Sequence, residues 1–255
     1  MSIDIAAVLR HAGALWRRDR TVLAPLSGLF LFVPQWALLL LVPEAPRIGA
    51  DPDQAAAMAA WSDALEQWLT AHGSSYLLAM LLGQYATLAI LAVYLTRPQP
   101  ETGAALLKAL RLLLRFILAG LLVALPLGVI VLLAMPRPAG LLLAMAPVFY
   151  VLGRSCLTGA VICAEAGTGA VAAVKRSWAL TRGRGLAVAV LVAGLTGTGQ
   201  LAAAVIVAVD HVLKLAGMGN PVTLAVVDAG AAAASWASAL ALALVQVVLY
   251  RRLAR

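Results

Sequence analysis

Apolar residues run almost unbroken through six stretches, Leu23–Val42, Tyr76–Leu95, Phe116–Met135, Leu141–Ile162, Leu186–Val209 and Ala231–Tyr250, and polar residues collect in the segments between them. Since about 20 apolar residues cross the hydrocarbon core as a helix, each stretch predicts a transmembrane span. Together they predict an all-α polytopic bundle of six spans, a single integral membrane domain over residues 1–255.

The connecting segments carry a second, helical periodicity. Ile5, Val8, Leu9, Ala12 and Trp16 form one stripe, and Leu106, Leu110, Leu113 and Leu114 another, with Lys108, Arg111 and Arg115 on a separate face. In Gly169–Arg182, Lys175, Arg176 and Arg182 share an arc beside Val174 and Trp178. This is the pattern of helices lying in the membrane interface. One such basic amphipathic helix is expected before each odd-numbered span. The recurrence suggests a threefold repeat of two-span units, about 1–98, 99–165 and 166–255, supported by Thr102-Gly103-Ala104 and Thr168-Gly169-Ala170 at matching places. Each odd span is also interrupted, by Pro34, by Pro126, and by Gly194, Gly197 and Gly199; proline there removes a backbone donor and bends the helix. Ala55–Ala71 sets Met58, Trp61, Leu65, Trp68 and Leu69 against Asp63 and Glu66, predicting a separate amphipathic helix at the opposite interface, its tryptophans in the headgroup zone. Ala189, Ala193 and Gly197, and Ala231, Ser235, Ala239 and Ala243, form small-residue stripes that allow the last two spans to approach closely.

With 63% apolar and 12% charged residues, a soluble domain of this length would lack polar surface, a role lipid takes in a membrane. Charge then sets the orientation. Arg10, Arg17, Arg18, Arg20, Arg97, Lys108, Arg111, Arg115, Lys175, Arg176, Arg182, Arg184, Arg251, Arg252 and Arg255 fall on one side, against Arg47, Arg137 and Lys214 on the other. The positive-inside rule therefore predicts two cytoplasmic termini. The charged stretch before the first span, without a small-residue cleavage site, suggests an uncleaved anchor. A net charge of +8 distributed beside the spans reads as topology and not as a nucleic-acid footprint. Cys156 and Cys163 stand about 10 Å apart along one predicted helix, beyond disulfide reach.

Candidate chemistry is sparse. Arg154 is the one strongly charged side chain well inside a predicted span, where charge needs a partner, a cavity or a route to the interface; Gln84 and Gln246 lie at compatible depths, and a lipid phosphate is a further acceptor. His11, His72 and His211 occupy separate segments, and Asp210, His211 and Lys214 form a solvated helix end. No nucleophile elbow, zinc helix, phosphate loop or dinucleotide fingerprint occurs. No metal, cofactor or catalytic activity is expected.

Arg154, then Glu165 with Gly167, then Arg176-Ser177-Trp178-Ala179-Leu180-Thr181-Arg182-Gly183 follow one another in an order that resembles the glycerophosphodiester phosphodiesterase membrane domain family and related bacterial envelope proteins. The closing Leu249-Tyr250-Arg251-Arg252-Leu253 is also similar to that family's endings. The resemblance implies a six-span inner-membrane protein of bacteria. It carries over no hydrolase, because that activity belongs to a separate barrel whose carboxylates and paired histidines have no counterpart here. Glu165, Gly167, Ser177, Trp178, Thr181 and Gly183 match family positions of unknown role. The expectation is a non-catalytic structural or accessory protein of envelope or phospholipid homeostasis. Its partners would be membrane phospholipids, with anionic headgroups held by Arg154, Lys175, Arg176, Arg182, Lys108, Arg111 and Arg115. The alternative is a small-molecule transporter or lipid translocator with a midplane site near Arg154.

Overall fold

A computed structural model describes residues 4–46, 54–96, 101–134, 138–215 and 220–254. The expected six apolar helices are present, within Ile5–Leu41, Ala56–Leu95, Thr102–Ala134, Leu143–Ala164, Gly185–Val209 and Pro221–Leu253, so the chain is a multi-pass membrane protein by length and apolarity. The described elements are all helical: α1 (Ile5–Ser27), a π-helical turn (Gly28–Phe32), α2 (Val33–Leu41), α3 (Gln54–Leu95), α4 (Thr102–Ala134), α5 (Pro138–Ser155), α6 (Thr158–Ala164), α7 (Ala170–Leu180), α8 (Gly185–Leu215) and α9 (Pro221–Leu253).

Asp4 caps α1 by accepting the Ala7 amide at 2.9 Å. Asp19 departs from helical geometry (φ −114°, ψ 21°) and bends α1 between its basic and apolar parts. Most of the basic part's apolar stripe faces the bundle: Val8 and Ala12 are buried, and Ile5 and Trp16 pack on the core, while Leu9 is exposed. Pro34 follows the π-helical turn, in which the Val33 amide reaches back to the Gly28 carbonyl; the wider turn brings the chain past a proline that supplies no donor.

Two expected boundaries are absent. The stretch 55–71 is not a separate helix but the first part of α3, which runs for 42 residues, about 63 Å at 1.5 Å per residue. Gly73 is the weakest helix former between it and the span, and one glycine costs about 1 kcal/mol without ending a helix. Likewise Thr102–Arg115 continues without a break into the third span as α4, Phe116 and its neighbours offering no breaker. Trp61 and Trp68 donate their indole N–H groups to the Pro46 and Pro43 carbonyls, each at 3.0 Å. They fasten the segment after α2 to the outer part of α3.

The core is built from the buried run Leu88–Ala92 of α3 and the run Ala243–Leu249 of α9, with Val8, Leu23, Val188 and Leu191 around them. α4 stands at the periphery and exposes Leu114, Leu121, Leu125, Leu132 and Leu133, apolar surface suited to lipid. Backbones approach closely at two glycines. A side chain at Gly153 would overlap the Ala189 backbone, and one at Gly199 would overlap Ser238. The α8–α9 pair is thus drawn together by Gly199 and Ser238, one position from the Ala239 of the expected stripe, and the Ser238 hydroxyl donates to the Leu195 carbonyl at 2.8 Å.

Candidate functional site

The fourth span is not continuous. It turns at Cys156–Leu157, between α5 and α6, and the four carbonyls at a helix end have no partner within the helix. α7 ends close by with the same deficiency. The two ends supply each other. Arg154 Nη2 donates to the Trp178 carbonyl at 2.7 Å, Ser177 Oγ to the Arg154 carbonyl at 2.7 Å, and Trp178 Nε1 to Ser155 Oγ at 3.0 Å. Thr181 Oγ1 reaches the Ser177 carbonyl at 2.9 Å, and Thr158 Oγ1 the Ser155 carbonyl at 2.7 Å. The guanidinium lies over the Trp178 ring at 5.1 Å and near the Tyr150 ring at 5.9 Å. Gly185 leaves its room, since a Cβ there would stand 2.6 Å from Arg154 Cδ.

The acceptor for Arg154 is therefore the Trp178 carbonyl, with Tyr150 Oη at 3.4 Å, and neither Gln84 nor Gln246. Its Nε is buried without a partner among the described residues. A positive charge at the carboxyl end of α7 is also favoured by the helix dipole.

The remaining motif residues serve the same junction. Arg176 Nε donates to Glu165 Oε1 at 3.1 Å, and Tyr250 Oη donates to the same oxygen at 3.2 Å, tying the α6–α7 turn to α9. Gly167 (φ 78°) and Gly183 (φ 74°) take left-handed conformations that side chains disfavour, turning the chain into and out of α7.

Other cations at this end also close helix ends. Lys108 Nζ donates to Thr96 Oγ1 and to the Cys163 carbonyl in α6, both at 2.9 Å, and Arg251 Nη2 donates to the Tyr94 carbonyl of α3 at 2.7 Å. Tyr94 Oη in turn donates to Asp19 Oδ2 at 2.7 Å, and Asp19 pairs with Arg18 at 2.9 Å. These bonds draw the amino-terminal helix, the α3–α4 connection, the α6–α7 turn and the carboxy-terminal turn into one basic end. A different set has no such duty: Arg10, Arg17, Arg20, Arg111, Arg115, Lys175 and Arg182 are exposed, and none has an ion-pair or hydrogen-bond partner among the described residues. Arg111 and Arg115 alternate along α4 with exposed Leu110 (58%) and Leu114 (67%).

The expected headgroup residues thus separate into two groups. Arg154, Lys108 and Arg176 are engaged with the protein, while Arg111, Arg115, Lys175 and Arg182 are open. Sequence reasoning did not single out Tyr150, Ser155 or Gly185, which surround the Arg154 guanidinium and its helix end; the one available signal was the small residue opening the fifth span. Cys156 and Cys163 are both free thiols. Among the described residues no group of three or more His, Cys, Asp or Glu side chains comes together. The side chains of Asp210, His211 and Lys214, and all of Arg47, Arg97, Arg137 and Arg255, lie outside the described residues.

No family model, curated protein or solved structure matches this chain.

Proposed function

We propose that this is a non-catalytic inner-membrane protein with an accessory role in envelope or phospholipid homeostasis, whose basic end gathers anionic phospholipid headgroups. The observation that carries the reading is the set of exposed cations at one end of a membrane bundle that have no partner among the described residues, two of them interleaved with exposed leucines on α4. A cation in that position places its charge at headgroup depth while its neighbours enter the acyl chains. Each contributes about 1 kcal/mol near an anionic surface, so several together retain lipid. Arg154 acts in this reading as the pin that shapes the basic end, and it is not itself a headgroup ligand.

The test is thermal unfolding of the full chain in nanodiscs of phosphatidylcholine alone and with phosphatidylglycerol added. We expect a higher midpoint in the anionic discs at low salt, an advantage that shrinks as salt rises and is largely lost in the Arg111→Glu/Arg115→Glu variant. Equal midpoints in both discs at every salt concentration would remove the proposal.

A further inference from the structure

Away from the basic end, a cavity of about 430 Å³ opens among the first, second, fifth and sixth spans, in the half of the membrane farther from the basic residues. Its walls include Gln35, Gln84, Thr87, Gln200 and Ser235, with Trp236 beside them. Gln35 and Gln84 are half-buried and Gln200 is exposed, and three glutamines lining one opening in a bundle this apolar call for a physical reason. None of the three side-chain amides has a hydrogen-bond partner among the described residues, and an unbonded amide in an apolar setting is costly. The π-helical turn contributes Phe30 and Leu31 to the same wall; such turns widen a helix locally and recur at functional sites. Gly83 also lines this space, where a Cβ would make only ordinary contact with Leu31 at 3.8 Å.

The lining has no charged residue. An ion placed there would give up its hydration to dipoles alone, so the chemistry selects an uncharged ligand. Each amide offers two donors and a carbonyl acceptor, which suits hydroxyl and ester or ketone oxygens equally. A second, almost wholly apolar cavity of about 490 Å³ shares Phe30, Leu38 and Ala79 with the first and extends along Val33, Leu41, Leu78 and Leu82. Polar space beside apolar space, both within the membrane, matches a molecule with an uncharged oxygen-bearing head and a hydrocarbon chain.

We propose that the cavity of Gln35, Gln84 and Gln200 is a binding site for an uncharged amphiphile that presents hydroxyl and carbonyl groups, its chain lying in the neighbouring apolar groove. This site is separate from the basic end and does not depend on what that end binds.

The experiment is photo-crosslinking of the full chain in phosphatidylcholine nanodiscs with a diazirine-bearing diacylglycerol, followed by peptide mapping. Saturable labelling is expected within Phe30–Leu38 and Tyr76–Thr87, competed by unlabelled diacylglycerol and not by phosphatidic acid of the same chains. Gln35→Leu and Gln84→Leu, changes that remove polarity without adding bulk, should each weaken the apparent affinity roughly two- to tenfold, the scale of one neutral hydrogen bond. The competition arm uses the unaltered protein and so stands even where a variant folds poorly. Labelling spread evenly over lipid-facing positions such as Leu121–Leu133, or equal competition by phosphatidic acid, would overturn the assignment.

Discussion

At Arg154 a half-buried charge is balanced by a backbone carbonyl and two aromatic faces. Removing it leaves the Trp178 carbonyl without that donor and empties the space over the indole. Arg154→Met is expected to cost about 1–3 kcal/mol, read as a lower unfolding midpoint in nanodiscs, while phospholipid retained in native mass spectrometry stays as in the unaltered protein. Loss of lipid without loss of stability would instead return Arg154 to the headgroup sites. The sequence marks this arginine as unusual because intramembrane charge is rare. Its acceptor was hidden because an inventory of side chains contains no backbone carbonyls. Gln84 and Gln246 had suitable depth, yet the end of α7, folded back against α5, offered a better-placed oxygen. The same holds for Lys108: the stripe placed it on the basic face of an interfacial helix, and the α6 end captured it.

Elements meet the sequence reading where apolarity decides and depart from it where a boundary must be inferred. The six spans follow from long uncharged runs, which water and lipid sort without ambiguity. Whether a preceding amphipathic stretch lies flat or continues the span depends on a helix breaker, and neither the approach to Tyr76 nor that to Phe116 has a sufficient one. Cys156–Leu157, by contrast, turns without glycine or proline, because the α5–α7 bonds compensate the broken ladder. Two tests act at this scale. Gly199→Leu should force α8 from α9 and lower stability by about 1–3 kcal/mol, the usual cost of overpacking; an unchanged unfolding midpoint would mean that the helices separate freely. Trp61→Phe/Trp68→Phe keeps the rings and removes both indole donors, each bond contributing about 0.5–1.5 kcal/mol. A glutamate-specific protease should then cut after Glu44 faster, with no change in the midpoint of the bundle.

Over the whole molecule, charge asymmetry and hydrogen bonding give the same division into two ends. In right-side-out and inverted vesicles, Arg115→Cys and Ser62→Cys should react with a membrane-impermeant maleimide from opposite sides, Arg115→Cys from the cytoplasmic one. Labelling of both from one side would refute the orientation inferred from charge. What sequence could not supply at this scale is the convergence of Gln35, Gln84 and Gln200, three residues in three spans whose meeting depends on how the spans rotate against one another. A last consequence follows from the length of α3. Its 42 residues are about twice what the hydrocarbon requires, so close to half of the rod stands beyond the bilayer. There is no joint between that half and the residues lining the glutamine cavity. It is therefore a lever: a tilt of about 10° would carry its amino-terminal end roughly 5 Å sideways, and a push on that end would arrive at Gln84 as rotation.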